Sequence, residues 1–322
     1  MGDAKRRIKN KALTESNTNT SEKTPAEKSS INKGLPLRVL SRATVIISLL
    51  IVVYFSSKDN IRTFAKQSEL LPGKGQIVKC SAEYVKELDN FEGCAPRDCK
   101  RFVTDKVVSV REVEELLKIA KRGLKYGGSF GGASILDLHS GAMSKGQHFV
   151  NIYEIKEMKN LFTQEDFNII RVSTYKFVLI TSLCPDLKSG TIKNRDGSLT
   201  LFRRAQMGLF SRCSYNFNSK INHIVFLQVS YKSFHFTTLL YLSDYDVDFN
   251  GGRFVFIDEG FNSTIEPRKA RLSMFTSGAE NSHYVEKVTS GVRYAMTIPF
   301  TCDKKFAIED PSTDKYNKRH SK

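Results

Sequence analysis

The distribution of polar and apolar positions divides the chain into segments of different character. Residues 1–36 contain almost no large apolar side chain, which predicts a disordered tail. An uncharged run from Ala43 to Ser57 follows, and extending it back to Leu37 gives about 31 Å of helix. That length matches the roughly 30 Å hydrocarbon core of a bilayer. We therefore interpret 37–57 as a transmembrane signal anchor.

Two alternatives to an anchor fit the apolar run less well. A buried helix of a soluble protein is disfavoured because the run follows a polar tail and is apolar on every side. A cleaved signal peptide normally has a shorter polar region before its apolar core. Because the tail is rich in Lys and Arg, the positive-inside rule places it in the cytosol and the rest of the chain in a lumen. The prediction is a single-pass type II membrane protein of the endoplasmic reticulum or another secretory membrane.

Helix signals and turn residues organise the middle of the chain. Pro and Gly in the segment after the apolar run favour a stalk, so 58–103 is interpreted as a stalk followed by a cysteine-containing segment. Ser109 and Glu112 form a capping box that predicts the start of a helix, and a second helix is predicted to begin at Thr163. These helices define a helical support region over 104–196.

Strand character dominates the chain from Phe234 to Cys302. Short runs rich in β-branched and aromatic residues alternate there with Gly, Pro and Asn turns, which predicts a barrel or a sandwich. The predicted strands are Phe236–Leu242, Arg253–Ile257, Arg271–Phe275, Tyr284–Val288 and Val292–Phe300.

Two residues on these strands can carry chemistry. His283 follows the Ser277-Gly278 turn, and Arg293 lies ten positions later on the next predicted strand. Adjacent antiparallel strands would bring both side chains to the same end of a barrel. A neutral imidazole can bind a metal ion, and a guanidinium can bind a carboxylate through two parallel hydrogen bonds.

Several motifs in this region together resemble a known enzyme family. DFNGGRFVF, Pro267, FTSGAENSHYVEKV and GVRYAMTIPF occur in the order found in the prolyl 4-hydroxylase-type Fe(II)/2-oxoglutarate dioxygenases, and the resemblance covers roughly Cys80 to Pro311. It implies an α+β fold in which a double-stranded β-helix (a jelly roll) over 197–311 has flanking helices, with 312–322 left as a C-terminal tail. Fe(II), the cosubstrate 2-oxoglutarate and L-ascorbate are the implied cofactors.

The resemblance also implies roles for the two singled-out residues. His283 corresponds to the distal iron ligand, and Arg293 to the residue that binds the distal carboxylate of 2-oxoglutarate. The family oxidises 2-oxoglutarate to succinate and carbon dioxide while it hydroxylates a C–H bond, here of a protein substrate.

The early half of the implied iron site is incomplete in this sequence. The family holds iron with a His-x-Asp pair and a distal histidine. Here the stretch NFNSKINHIVFLQVSYKSF contains no carboxylate, and its single histidine is His223, followed by Ile224 and Val225. Counting back from Tyr231 without a gap places the ligand positions on Val225 and Leu227.

Three explanations of this departure are open. The first is that iron binding has been lost and the protein is a pseudo-oxygenase. The second is that a splice form or gene model has replaced the metal-bearing exon. The third is that His223 and His283 hold iron in an altered site. We favour the second explanation because the divergence is confined to residues 203–230 between well-matched flanks. Two functions follow: a dioxygenase, and a catalytically incompetent binding module.

Charge and cysteine content restrict the partners and the compartment. The formal net charge of +16 is typical of nucleic-acid binding, but a large share lies on the N-terminal tail and no nucleic-acid motif is present, so no nucleic-acid partner is expected. All six cysteines follow the apolar run, which indicates an oxidising compartment. Cys80, Cys94 and Cys99 favour a local disulfide, and Cys302 is a further candidate, with the pairing left open.

Two further motifs lie between the predicted strands. Asn262-Ser263-Thr264 is a glycosylation acceptor in a Gly-flanked loop, so we predict a glycan on Asn262. Asp244, Asp246 and Asp248 alternate as in a calcium loop, but Phe249 stands where an EF-hand needs glycine, which favours a solvated hairpin connection.

Overall fold

The computed structural model describes residues 37–56, 60–91, 94, 96, 98–130, 132–158, 160–183, 209–214 and 234–306. The chain divides into two compact units, Met1–Lys58 and Asp59–Lys322. The predicted tails, 1–36 and 312–322, lie outside the described residues.

The first unit contains one described helix, α1 (Leu37–Ser56), whose apolar side chains between Leu40 and Tyr54 are exposed. Within the described ranges, no helix meets both the length and the hydropathy that a bilayer crossing requires. The signal anchor over 37–57 stays a prediction.

The second unit contains α2 (Ala82–Leu88), α3 (Val110–Leu124) and α4 (Gln164–Leu183). The capping box of α3 is present as predicted: the Glu112 N–H donates to Ser109 Oγ at 3.3 Å, and the Ser109 N–H donates to Glu112 Oε2 at 2.9 Å. At the start of α4, the Thr163 N–H donates to Asp166 Oδ2 at 2.7 Å, so the second predicted helix start is also confirmed. Short 3₁₀ turns occur at Ile152–Glu154, Lys156–Met158, Ala279–Asn281 and Lys304–Phe306.

The strands of the second unit are numbered in chain order. They are β1 (Ile61–Ala65), β2 (Lys74–Val78), β3 (Cys99–Thr104), β4 (Gly128–Ser129), β5 (Ala133–Asp137), β6 (Ala142–Gly146), β7 (His148–Asn151), β8 (Leu209–Ser214), β9 (Phe236–Tyr241), β10 (Phe249–Gly251), β11 (Phe254–Asp258), β12 (Phe261–Ile265), β13 (Leu272–Thr276), β14 (His283–Val285) and β15 (Val288–Phe300).

The described strands form two sheets. The small sheet has the order β1-β12-β11-β14, and the large sheet has the order β2-β3-β13-β9-β15-β8-β5-β6-β4, with β10 beside β15 and β7 beside β6. From β11 onward the chain passes from the small sheet to the large one and back: β11 and β12 are in the small sheet, β13 in the large, β14 in the small and β15 in the large. This alternation between facing sheets is the winding of a jelly roll, in agreement with the predicted fold class.

Alternating side chains of the large sheet serve two hydrophobic cores. On β15, Ala295 packs into the core between the sheets, whereas Met296 packs toward α3 and α4. We call the first core the inter-sheet cluster; its buried members are Ala65, Leu71, Val103, Leu239, Tyr241, Phe254, Phe256, Ile265, Phe275 and Ala295. Because successive strand residues point to opposite faces, one strand stabilises both cores.

The segment interpreted as a stalk is partly built into the domain. β1 pairs in parallel with β12, and β2 pairs antiparallel with β3. The buried guanidinium of Arg271 donates to the carbonyls of Lys66 and Glu69, which fixes the connection after β1. The stalk interpretation therefore does not describe residues 61–78, because their backbone partners lie far away in sequence where a local pattern cannot show them.

Two disulfides join the cysteine-containing segment to itself and to the end of the jelly roll. Cys80 is bonded to Cys99, with a Cα–Cα distance of 5.0 Å. Cys94 is bonded to Cys302, with a Cα–Cα distance of 6.2 Å across 208 positions of sequence. All four candidate cysteines are thus disulfide-bonded in the structure.

Candidate functional site

His283, at the start of β14, is packed among aromatic rings of the inter-sheet cluster. Its ring stacks on Phe254 with centroids 4.8 Å apart and lies edge-on to Phe275 at 5.0 Å. Burial lowers the pKa of His283 below its ordinary value; a hydrogen bond to the Asn281 carbonyl partly opposes this shift, and the charge of Arg101 adds to it. The imidazole is therefore neutral at pH 7.

The hydrogen bond of His283 determines which nitrogen is available to a ligand. Nδ1 lies 2.7 Å from the carbonyl oxygen of Asn281, so Nδ1 carries the proton and donates. The lone pair is then on Nε2. A histidine held in this way by a backbone carbonyl is oriented as metal-binding histidines commonly are.

Arg293, on β15, is a buried cation with two nitrogens that lack a hydrogen-bond partner in the described part of the chain. Its side chain is 2% exposed, and neither Nε nor Nη2 has a hydrogen-bond partner among the described residues. The guanidinium lies over the ring of Tyr241, 5.5 Å from its centroid. An unpaired buried charge is costly, so this arrangement fits a site that receives an anionic ligand.

A glycine makes room for the Arg293 side chain. Gly252 has φ +64°, and a Cβ at this position would lie 3.0 Å from Arg293 Cδ and 2.9 Å from Val288 Cγ2. A larger residue would be strained by its backbone conformation and would also crowd the arginine. Gly252 thus serves the site as well as the connection between β10 and β11, whereas Asn250 and Gly251 of the predicted turn belong to strand β10.

Tyr241, on β9, is a further candidate site residue that the sequence did not predict. The ring is fully buried, and burial raises the pKa of its phenol, with the charges of Arg293 and Arg271 opposing this rise. The hydroxyl lies 3.4 Å from Ser273 Oγ and is protonated at neutral pH, so it can donate to an anion held by Arg293. In the sequence nothing distinguishes this tyrosine from the other apolar residues of its predicted strand.

The prediction that His283 and Arg293 lie on adjacent antiparallel strands is wrong. β14 pairs with β11 in the small sheet, whereas β15 pairs with β8, β9 and β10 in the large sheet. Sequence spacing cannot distinguish a hairpin from a crossing between sheets, and here the chain crosses. Both residues nevertheless border the inter-sheet cluster, His283 through Phe254 and Arg293 through Tyr241.

The described residues supply one of the ligands that iron would need. Across these ranges, no group of three or more His, Cys, Asp or Glu side chains is placed to hold a metal ion. His223 and the rest of 215–233, where the early ligands were expected, lie outside the described residues. Within the divergent block 203–230, β8 pairs with β15 and β5, so part of that block belongs to the large sheet.

The residues that the structure describes therefore fit 2-oxoglutarate better than they fit iron. Arg293 and Tyr241 offer a buried cation and a hydroxyl to a carboxylate, whereas His283 offers a single nitrogen to a metal.

The two remaining motifs have structural explanations. Lys269 Nζ lies 3.5 Å from Asp244 Oδ2 and 3.2 Å from Asp248 Oδ2, so a lysine takes the place that a calcium ion would need. Asn262 is half-buried and belongs to strand β12, not to a loop as predicted, with β1 and β11 on either side.

The sequence is similar to those of known oxygenases. The family model of the 2OG-Fe(II) oxygenase superfamily matches residues 222–300. The mouse (Mus musculus) "2-oxoglutarate and iron-dependent oxygenase domain-containing protein 3" is 46% identical over 260 residues, which cover 79% of each chain. The mouse "Prolyl 3-hydroxylase 2" is 39% identical over 71 residues, 21% of this chain and 10% of that protein.

Solved structures similar to this chain are distant in sequence. A prolyl hydroxylase from Trichoplax adhaerens, in complex with a hypoxia inducible factor oxygen degradation domain peptide, has a TM-score of 0.41 and 15% identity over 70% of this chain and 90% of that chain. The similarity to the curated mouse relative extends over most of both proteins, and on that ground the chain belongs to the 2OG-Fe(II) oxygenase superfamily.

Proposed function

We propose that this protein is a membrane-anchored, lumenal dioxygenase that uses 2-oxoglutarate and Fe(II) to hydroxylate a protein substrate. The observation that carries the proposal is the buried Arg293 guanidinium, whose Nε and Nη2 have no partner among the described residues. A dicarboxylate cosubstrate supplies the missing acceptors. Family membership supports Fe(II) as the metal, and L-ascorbate is proposed as the accompanying reductant.

The chain's own residues bind and orient the cosubstrate. Arg293 pairs with the distal carboxylate of 2-oxoglutarate, and the Tyr241 hydroxyl donates a further hydrogen bond to it. The aromatic side chains of the inter-sheet cluster exclude water around this contact, which strengthens it. His283 would hold the metal through Nε2. When bound, the metal supplies the oxygen chemistry that couples 2-oxoglutarate oxidation to C–H hydroxylation.

Binding of 2-oxoglutarate tests this assignment. Isothermal titration of the full-length protein in detergent should show binding that Arg293→Ala abolishes. Arg253→Ala is the matched control, because Arg253 already has a carboxylate partner in Glu286 at 2.7 Å. Binding that survives in Arg293→Ala, or that Arg253→Ala removes equally, would show that the carboxylate is bound elsewhere.

Membrane anchoring and lumenal orientation are proposed from the sequence. The apolar run, the basic tail before it and the confinement of cysteines to the later part of the chain support a type II topology. The two disulfides support an oxidising compartment. Glycosylation of Asn262 would report the lumenal side directly: endoglycosidase should increase gel mobility of the wild type and leave Asn262→Gln unchanged. No mobility change in the wild type would contradict the orientation and the glycan together.

A second candidate function is a binding module that keeps 2-oxoglutarate but not iron. The observation that favours it is the absence of any carboxylate residue from 215–233 of the sequence, where the family places its His-x-Asp pair. Metal analysis of the full-length protein after anaerobic loading with Fe(II) separates the candidates. One iron per chain that is lost in His283→Gln supports the dioxygenase; no bound iron together with intact 2-oxoglutarate binding supports the binding module.

The exon explanation has its own test. Transcripts sequenced across the codons of residues 200–235 should include a form that encodes a His-x-Asp pair. An identical reading in several independent clones, with no second form, would remove that explanation.

A further inference from the structure

The short segment before His283 is held by an unusually complete set of hydrogen bonds. We call residues 278–282 the His283 loop. Asn281 is 2% exposed, and its Nδ2 donates to the carbonyl oxygen and to Oγ1 of Thr276, both at 2.8 Å. The carbonyl oxygen of the same residue accepts the Nδ1–H of His283 at 2.7 Å. The position of Asn281 therefore determines the orientation of the His283 ring.

Arg101, on β3 of the large sheet, reaches across to this loop. Its side chain is 1% exposed, and Nε donates to Asn281 Oδ1 at 2.6 Å. Nη2 donates to the Glu280 carbonyl at 3.1 Å, so one guanidinium holds two consecutive residues of the His283 loop.

The guanidinium is itself fixed by the small sheet. It makes a two-point contact with Asp258 on β11, with Nη1 3.0 Å from Oδ2 and Nη2 2.7 Å from Oδ1. It also lies over the ring of Phe256, 4.0 Å from the centroid. A planar fork can satisfy all of these partners at once, whereas the point charge of a lysine cannot.

Ser81 also forms hydrogen bonds to the His283 loop. Its N–H and its hydroxyl donate to Glu280 Oε2 at 3.2 Å and 2.9 Å, while Thr276 Oγ1 donates to Glu280 Oε1 at 2.7 Å. Ser81 directly follows Cys80, and Arg101 lies two positions after Cys99, the disulfide partner of Cys80. The disulfide thus joins the two segments from which the His283 loop is held.

We propose that Arg101 and Ser81 are positioning residues for His283: they hold the His283 loop so that the Asn281 carbonyl keeps the proton of His283 on Nδ1 and leaves the lone pair on Nε2. The inference rests on the proposed role of His283 as a metal ligand. Among the described contacts neither residue hydrogen-bonds to His283: Ser81 acts through Glu280, and Arg101 acts through Glu280 and Asn281.

The tautomer of His283 is the readout that separates positioning from mere stabilisation. The full-length, metal-free protein labelled with ¹⁵N-histidine is studied by NMR in detergent at pH 8, and the His283 signals are assigned by their loss in His283→Gln. The wild type should show the Nδ1–H tautomer almost exclusively. Arg101→Lys should lower the ratio of the Nδ1–H to the Nε2–H form by roughly fivefold or more, the factor that one net hydrogen bond supplies.

Arg253→Lys is the matched control for Arg101→Lys. Arg253 makes a comparable two-point contact with a carboxylate, at 2.8 Å and 2.7 Å from Glu286, next to β14 but without a hydrogen bond to the His283 loop among the described residues. The His283 tautomer ratio in Arg253→Lys should equal that of the wild type. An unchanged ratio in Arg101→Lys, or an equal change in both variants, would overturn the proposal.

Ser81→Ala keeps the proposal testable if Arg101→Lys does not fold. It removes one hydroxyl from a half-buried position and should shift the tautomer ratio in the same direction by a smaller factor. No shift in a folded Ser81→Ala would then count against the proposal. Because the readout needs neither iron nor 2-oxoglutarate, its failure is distinguishable from a failure of the proposed function.

Discussion

The guanidinium of Arg293 lies 5.5 Å from the ring centroid of Tyr241, and two of its nitrogens have no hydrogen-bond partner among the described residues. A folded protein normally pairs a buried cation, because the unpaired charge loses its hydration without compensation. The proposed 2-oxoglutarate site accounts for this arrangement, because an entering carboxylate would supply acceptors to both nitrogens.

Arg293→Met should separate ligand binding from stability. Methionine fills a similar volume without a charge, so the ligand-free protein should gain about 1–3 kcal/mol of unfolding free energy while 2-oxoglutarate binding is lost. Urea unfolding followed by circular dichroism, together with calorimetric titration, measures both. A variant that is destabilised and still binds 2-oxoglutarate would contradict the assignment.

Gly252→Ala should weaken 2-oxoglutarate binding by displacing Arg293. Both Gly252, at φ +64°, and Gly260, at φ +78°, have left-handed backbone, so alanine at either should cost about 1–2 kcal/mol of stability. Only at Gly252 does the new Cβ meet the arginine; at Gly260 nothing lies within 4 Å. Gly260→Ala is thus the control for backbone strain, and an equal loss of affinity in both variants would exclude a steric effect on Arg293.

His235 should make the domain sensitive to acid. The side chain is fully buried, its Nδ1 accepts the Cys302 N–H at 2.8 Å, and its Nε2 lies 3.4 Å from the half-exposed carboxylate of Glu87. Burial lowers the pKa of His235 to about 4, with the charge of Asp303 opposing this shift. Between pH 6.5 and about 4 the unfolded chain therefore binds a proton that the folded chain excludes, so stability is lost as the pH falls through this window.

The expected loss from His235 is roughly 3 kcal/mol on going from pH 7 to pH 4. His235→Asn keeps a hydrogen-bond acceptor near the position of Nδ1 but does not titrate, so its stability should depend less on pH across the window. Urea midpoints measured at several pH values test this, with the exposed His148→Asn as control. A wild-type slope retained in His235→Asn would show that other groups cause the acid sensitivity.

The two disulfides should differ in their contribution to stability. Cys94–Cys302 closes a loop of 208 positions and Cys80–Cys99 a loop of 19. On the chain-entropy account, removing the first pair should cost about 5 kcal/mol and removing the second about 3 kcal/mol. Urea unfolding of the two double Cys→Ala variants makes the comparison. Equal losses, or a larger loss for the short loop, would show that local strain dominates loop entropy.

Local patterns in the sequence predicted the elements that depend on neighbouring residues. The capping box of Ser109 and Glu112 locates the start of α3, and Gly252 lies between β10 and β11. The stalk interpretation did not predict that residues 61–78 contain strands of the domain. The sequence gives no local sign of this because β1 obtains its hydrogen bonds from β12, about two hundred positions away.

The sequence by itself determined that this chain contains a β-rich oxygenase domain, since His283 and Arg293 stand in motifs whose order is specific to the family. The tertiary structure alone decided how those residues are presented. It places them on opposite sheets, sets Tyr241 beneath the arginine and leaves the arginine unpaired among the described residues. The physical reason is that strand pairing and burial depend on contacts between segments remote in sequence, which no local pattern of residues encodes.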